Sequence, residues 1–384
     1  MNIALVADFK NKDQINGGYF YASQSIKSSL QLLKSKRKIK NLTFLELSEI
    51  NKYKYTQKFD YCFIICNPNS IITNINYFKN LFAVCNKKYL HILWETSPLP
   101  ESWKPLWTMD YFTGFFTPSM FFKELIEKET DKIVYYTPYG IDTTKDVINI
   151  NNKKEEEKFT ILVTGQVTKR KGIEDAITGY IRAFSNFPND TQLILKCFRL
   201  SKHEDSLEDL IIKKSFMNSK SPNSRNLRIF TLDKNISRDE IMDLYKKSSI
   251  LLTPSRGEGF SLPCLEAMSV GLPVIYTDWS NMPEVCDPEN IAKQTEIKDI
   301  VNVPLRYVLD EAIDMLQYNY EINTNYAIPI MKDIINALRM KYSQWAEDKE
   351  KYYKDAKANI ELVKKYFSFD KVNEYYEKII GEDE

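Results

Sequence analysis

Residues Ile250–Ile275 read ILLTPSRGEGFSLPCLEAMSVGLPVI. The run Ile250–Thr253 has the character of a buried parallel strand, and Pro254 ends it. A loop follows with Arg256, Gly257, Glu258, Gly259, Phe260 and Ser261. Pro263 then falls in the first turn of a helix that begins at about Leu262, where a missing N–H costs nothing. Strand, short loop and helix form the repeating unit of a parallel sheet with helical crossovers. Such folds bind ligands in a crevice outside the carboxyl ends of their strands.

The loop has the makings of an anion cradle. Backbone N–H groups of Phe260, Ser261 and Leu262 would point out of the helix start with the positive end of its dipole behind them. Glu258 precedes the cradle and Glu266 follows one turn inside the helix, so the two carboxylates flank one opening. The plain alternative for either residue alone is a helix cap for Glu258 and a solvated position for Glu266. The glycine count weighs against it. The chain has 11 in 384 residues, below the typical ~7%, and three of them are Gly257, Gly259 and Gly271. Others pair up at Gly165 and Gly172 and at Gly17 and Gly18.

Working outward, the same alternation recurs on both sides. Towards the amino terminus, strands are predicted at Ile3–Ala7, Thr43–Leu47, Tyr61–Cys66, Leu90–Trp94, Gly114–Thr117 and Val134–Thr137, with a helix over Tyr19–Lys34. Residues 143–158, with their NNKKEEEK run, read as a solvated linker. The pattern then restarts with strands at Phe159–Thr164, Gln192–Phe198 and Leu227–Phe230 and helices at Gly172–Phe184 and Arg238–Lys247. After Pro304 the chain reads as helical, ending in a helix near Phe369–Ile380.

The formal charge of +1 removes the signature of a chain that tracks a phosphate backbone along its whole surface, so any anion site is local. No apolar run approaches the roughly 18 residues of a membrane span, and the start MNIALVAD lacks a signal-peptide pattern. The expected location is the cytoplasm. The six cysteines form no CxxC pair, only two histidines exist, and no Asp-x-Asp occurs. No metal site and no cofactor are expected, and the counter-charge for a bound phosphate must come from side chains and helix ends. His91, on a predicted strand, reads as a core histidine, and His203 as exposed.

At this point the residues resemble a family. Glu258 and Glu266 within GEGFSLPCLEAMSVGLPVI are similar to the Glu-x7-Glu signature of the retaining glycosyltransferases of family 4. Thr164-Gly165 through Lys169-Arg170-Lys171-Gly172, Thr137-Pro138-Tyr139-Gly140-Ile141-Asp142 and Trp94-Glu95-Thr96-Ser97-Pro98-Leu99-Pro100 resemble further segments of that family. The resemblance implies a GT-B fold: two Rossmann-like doubly wound α/β domains facing a central cleft. It implies an acceptor-binding domain over 1–150, a nucleotide-sugar-binding domain over 151–365, and a final helix over 366–384 that returns to the first domain.

The same resemblance assigns roles. Glu258 would bond hydroxyls of the donor sugar and Glu266 the ribose hydroxyls. Lys171, with Arg170, would hold the diphosphate, and the amides of Gly259, Phe260, Ser261 and Leu262 would hold sugar and diphosphate. Gly17 and Gly18 match a loop that approaches the diphosphate from the first domain. Gln166 stands among the donor-side residues, where the family often carries Arg. Trp94, Glu95 and Thr96 fall on the acceptor side, and the aromatics Trp94, Trp103, Trp107, Tyr111 and Phe112 are candidates either for lining that side or for core packing.

The implied donor is a UDP- or GDP-linked sugar, and the acceptor a glycan, lipid, protein or modified nucleotide. The basic run Lys34–Lys40 would contact the inner membrane face peripherally, or else be a solvated helix end. The rival expectation is a catalytically impaired nucleotide-sugar-binding protein of the same fold.

Overall fold

A computed structural model describes residues 1–10, 18–144, 148, 153, 158–185, 190–198, 206–217, 227–290, 300–312 and 324–381. The chain divides into two units, one of Met1–Asp142 with Lys365–Glu384 and the other of Thr143–Lys364. Among the described residues no helix is long and apolar enough to cross a membrane.

The first unit holds six parallel strands: β1 Asn2–Ala7, β2 Asn41–Glu46, β3 Phe59–Ile64, β4 Cys85–His91, β5 Gly114–Thr117 and β6 Ile133–Tyr136, in the order β2-β1-β3-β4-β5-β6. Strands β1 and β3 are buried along almost their whole length, as expected where both faces of a sheet are covered.

The carboxy-terminal segment is part of this unit. Ile141 N–H donates to Phe367 O at 2.9 Å, and the Tyr61 hydroxyl on β3 donates to Ile380 O at 3.1 Å. The close approach at Ile141 depends on its neighbour. A Cβ on Gly140 would lie 2.5 Å from a ring carbon of Phe369, so only a residue without a side chain lets helix Phe369–Gly381 seat there. Lys36 and Lys38 of the basic run pair with Asp370 and Glu377 of that helix, at 2.6 and 3.7 Å.

The second unit repeats the plan with β7 Phe159–Gln166, β8 Thr191–Phe198, β9 Ile229–Thr231, β10 Ile250–Thr253, β11 Val274–Thr277 and β12 Val303–Leu305, in the order β12-β11-β10-β7-β8-β9. All its pairings are parallel. The strand order reverses between β7 and β10, so the loops leaving these two neighbours open side by side at the switch point, where doubly wound sheets bind ligands. A buried amide pair braces the far side: Asn302 Nδ2 donates to Asn359 Oδ1 at 2.9 Å and to Cys286 O at 2.8 Å, while Asn359 Nδ2 donates to Leu272 O at 2.9 Å.

Two expectations are corrected. The stretch after Pro304 is not helical throughout: β13 Tyr307–Glu311 and β14 Asn325–Pro329 pair antiparallel before helix Met331–Glu347 begins. Val308 and Leu309 are exposed on that hairpin, so no apolar alternation marks the strand in the sequence. The stretch 143–158 is not solvated throughout either. Lys153 is buried, with its ammonium on Ser248 O at 2.7 Å and 5.1 Å from the Tyr353 ring centre, so partners distant in sequence accept a charge that the local pattern assigns to solvent. The rest of the NNKKEEEK run, apart from Lys158, lies outside the described residues.

Candidate functional site

The loops after β7 and β10 are built around two glycines. Gly165 has φ 144°, and a Cβ there would lie 3.4 Å from Lys171 Cδ, so the Lys171 stem crosses the end of β7 directly over it. Gly172 opens helix Ile173–Phe184 in the left-handed region, φ 63°. A Cβ on Gly172 would stand 2.2 Å from Pro254 O. The turn from Thr168 to Gly172 therefore presses against the loop after β10, and Arg256 N–H donates to Arg170 O at 2.6 Å to seal it.

This contact brings Arg170 and Lys171 onto Glu258. Lys171 Nζ donates to Glu258 Oε1 at 2.5 Å, and Arg170 Nη1 donates to Glu258 Oε2 at 3.3 Å and to Gly257 O at 2.8 Å. The Ser255 hydroxyl donates to Glu258 Oε1 at 2.6 Å. Burial pushes the Glu258 carboxyl up, but the charges of Lys171 and Arg170 and the bonds from Lys171 and Ser255 outweigh it and hold the group below its ordinary range. Ser280, itself at φ 54°, fixes the backbone of Glu258: its Oγ accepts from Glu258 N–H at 3.1 Å and lies 3.2 Å from Glu258 O.

Helix Leu262–Ser269 starts where the sequence puts it, with Pro263 in its first turn. Its amide cradle is smaller than expected. Ser261 N–H donates to Asn281 Oδ1 at 3.4 Å and Leu262 N–H to Phe260 O at 3.0 Å, so two of the four amides from Gly259 to Leu262 already serve the loop's own fold.

Glu266 is buried on this helix, not solvated. Its Oε1 accepts from Arg238 Nη1, and its Oε2 from the Tyr245 hydroxyl at 3.1 Å. Both partners come from helix Arg238–Lys247, whose start is fixed by a capping box. Glu240 N–H donates to Ser237 Oγ at 3.2 Å, and Ser237 N–H donates to Glu240 Oε2 at 2.6 Å. Arg238 and Tyr245 are not among the site residues that the sequence points to, although the Ser-x-x-Glu box and their seven-residue spacing are legible there. Arg256, also on the loop, turns away from Glu258. Its guanidinium bonds Asp175 Oδ2 and the Tyr326 hydroxyl, each at 3.0 Å. Gln166 ends β7 with its Nε2 buried and without a hydrogen-bond partner among the described residues.

The remaining candidates belong to the first unit. Gly18 opens helix Gly18–Ser35, while Gly17 lies outside the described residues, as does His203. Thr96 is buried, Glu95 half-buried, and Trp94 buried against Trp103 with ring centres 4.9 Å apart. Trp103 continues to Trp107 at 6.5 Å, and Trp107 to Phe115 at 5.2 Å. Trp94, Trp103, Trp107 and Phe112 are thus core, and of the five aromatics only Tyr111 is exposed. His91 is a core histidine: fully buried, with Nε2 2.9 Å from the Tyr139 hydroxyl and its pKa pushed down to about 3 by burial.

With the geometry in place, the relatives are informative. Residues 224–320, the span that holds Arg238, Glu258 and Glu266, match the family described as "Glycosyl transferases group 1". The serotype-specific mannosyltransferase WbdA of Escherichia coli is 28% identical over 183 residues, 47% of this chain and 20% of that protein. The chain thus spans about a fifth of the length of this curated relative.

Among solved structures, HepE of Anabaena, in complex with UDP and glucose, aligns with a TM-score of 0.67 at 11% identity, covering 99% of both chains. The lipopolysaccharide outer core galactosyltransferase WaaB, in its apo form, aligns with a TM-score of 0.61 at 14% identity over 100% of both. At such identities the likeness is one of fold. The chain has two doubly wound parallel sheets, the fold of these GT-B structures, and the stretch that matches the glycosyl transferases group 1 model lies in the second unit.

Proposed function

We propose that this chain is a retaining glycosyltransferase of the family 4 type, which moves a sugar from a nucleoside-diphosphate sugar to an acceptor hydroxyl without a metal ion. The observation that carries this is the cluster of Glu258 with Lys171 and Arg170 at the β7/β10 switch point. Two fixed cations beside a carboxylate are what a departing diphosphate needs when its charge develops: Lys171 and Arg170 stabilise the leaving group, while Glu258 holds donor-sugar hydroxyls. Glu266 takes the ribose hydroxyls, and the turn from Gly259 to Leu262 at the start of the helix lies along the donor.

In this mechanism the acceptor oxygen attacks on the face from which the diphosphate leaves. The new C–O bond forms as the bond from the anomeric carbon to phosphate oxygen breaks, and that phosphate oxygen takes the acceptor's proton. No enzymic nucleophile is required; positioning and charge stabilisation carry the rate. The donor is a UDP- or GDP-linked sugar, with mannose a first candidate from the WbdA relative. The acceptor side is assigned to the first unit around Glu95, with a glycan, lipid, protein or modified nucleotide as acceptor. The proposed location is the cytoplasm. Because Lys36 and Lys38 are shared with Asp370 and Glu377, only part of the basic run's charge is left for an anionic membrane.

A thermal-shift screen with UDP, GDP, ADP and their sugars tests the donor assignment. A ligand at a hundred times its Kd adds about 2.7 kcal/mol to stability by mass action. One nucleotide series should raise the unfolding temperature; no shift with any of them contradicts the reading.

A further inference from the structure

Glu266 is the less explained of the two acids, because a ribose diol presents two hydroxyl donors and needs an acceptor fixed in both position and orientation. Helix Arg238–Lys247 supplies that fixation. Positions 238 and 245 are seven residues apart, two helical turns, so both side chains project from one face. On that face Arg238 takes Glu266 Oε1 and Tyr245 takes Oε2, one partner per oxygen.

A carboxylate has about four acceptor positions, so with one partner per oxygen among the described residues each has room for a ligand. Tyr245 is fully buried, and burial together with the Glu266 charge pushes its phenol well above the ordinary range, so it stays a donor. Arg238 is the outer member: its side chain is 42% exposed, whereas that of Glu266 is 8% exposed, so the pair leads from solvent to the carboxylate.

We propose that Arg238 and Tyr245 are positioning residues that hold the Glu266 carboxylate in the orientation that accepts both hydroxyls of a nucleotide ribose, making helix Arg238–Lys247 a determinant of ribonucleotide over deoxyribonucleotide recognition. This rests on the donor-site assignment of Glu266 above.

The test is calorimetric titration of the full chain with UDP and GDP and with their 2′-deoxy counterparts, for the wild type, Arg238→Ala, Arg238→Lys and Tyr245→Phe. The wild type should bind its preferred ribonucleotide roughly tenfold tighter than the deoxy form, the scale of one hydrogen bond to a charged group. Arg238→Ala and Tyr245→Phe should each shrink that ratio to about threefold or less, and Arg238→Lys should restore part of it. Thermal unfolding of each variant separates this from loss of fold, which would lower affinity for both forms alike.

An unchanged ratio in both Arg238→Ala and Tyr245→Phe overturns the positioning role, as does tighter ribonucleotide binding by Arg238→Ala, which would make Arg238 a competitor for Glu266. If the wild type binds neither nucleotide, the donor-site assignment itself fails. If it binds but ignores the 2′-hydroxyl, the ribose role of Glu266 fails.

Discussion

Lys171 Nζ and Glu258 Oε1 are 2.5 Å apart, although the residues stand 87 positions apart in the chain. The pair exists because Gly165 and Gly172 let the turn after β7 close onto the loop after β10. With side chains only 17% and 7% exposed, it is a buried ion pair that a diphosphate would have to share.

Removing one member of such a pair leaves the other charge buried. Lys171→Ala should lower stability by about 3 kcal/mol, the lower end for a broken buried pair, because Arg170 and Ser255 still reach Glu258. Lys171→Met combined with Glu258→Gln should recover most of that loss in urea denaturation while abolishing the proposed sugar transfer. No recovery in the double variant would mean the pair is not coupled as described.

Gly172→Ala should cost about 1–2 kcal/mol from the left-handed backbone alone. The added methyl also meets Pro254 O at 2.2 Å, so the 168–172 turn must shift and take Lys171 with it. Nucleotide affinity and the unfolding temperature should fall together; a variant of unchanged stability contradicts the close approach.

His91 and Glu258 are two buried contributors to the acid limb of stability among the described residues. His91 has its pKa pushed down from 6.5 to about 3, so its contribution is full above pH 6.5 and is lost as pH falls towards 3, by about 1.4 kcal/mol per pH unit. Glu258 is held below its ordinary 4.5, so its contribution is full above that pH and is lost below it. His91→Gln should flatten the unfolding temperature between pH 6.5 and 4.5, and Glu258→Gln only below 4.5. The opposite pattern would refute both assignments.

Asn302→Ala should destabilise the second unit by about 3 kcal/mol, since it strands Cys286 O, Asn359 Oδ1 and the Val274 N–H, which donates to Asn302 Oδ1. Chemical denaturation reads this directly, and a change below about 1 kcal/mol would contradict the buried network.

The legible parts of this molecule are those whose signals are local. Strand β10, Pro263 and the two acids sit within one 26-residue stretch, and apolar runs mark β1 and β3 in the first sheet and β7 and β10 in the second, whereas β4 begins at Cys85 and carries Lys87 and Lys88, so the run Leu90–Trp94 marks only its end. What stayed hidden depends on partners far away in the chain. Lys153 is buried because Ser248 O and the Tyr353 ring receive it. The hairpin β13–β14 carries exposed Val308 and Leu309, so its alternation does not separate inside from outside. Trp94, Trp103 and Trp107 read equally well as a ligand surface or as core until their mutual contacts decide for core. Arg238 and Tyr245 have a readable helix and cap, yet their meeting with Glu266 depends on how two helices lie side by side.

The central claim is that Glu258 and its two cations take a nucleoside-diphosphate sugar apart. The most direct measurement is release of UDP or GDP from the corresponding sugar nucleotides by the wild type and by Glu258→Gln, with folding of both checked by thermal unfolding. Release by the wild type from one nucleotide series, lost in the folded variant, is the predicted result. Release at the same rate from both proteins, or from neither with any sugar nucleotide, would contradict it.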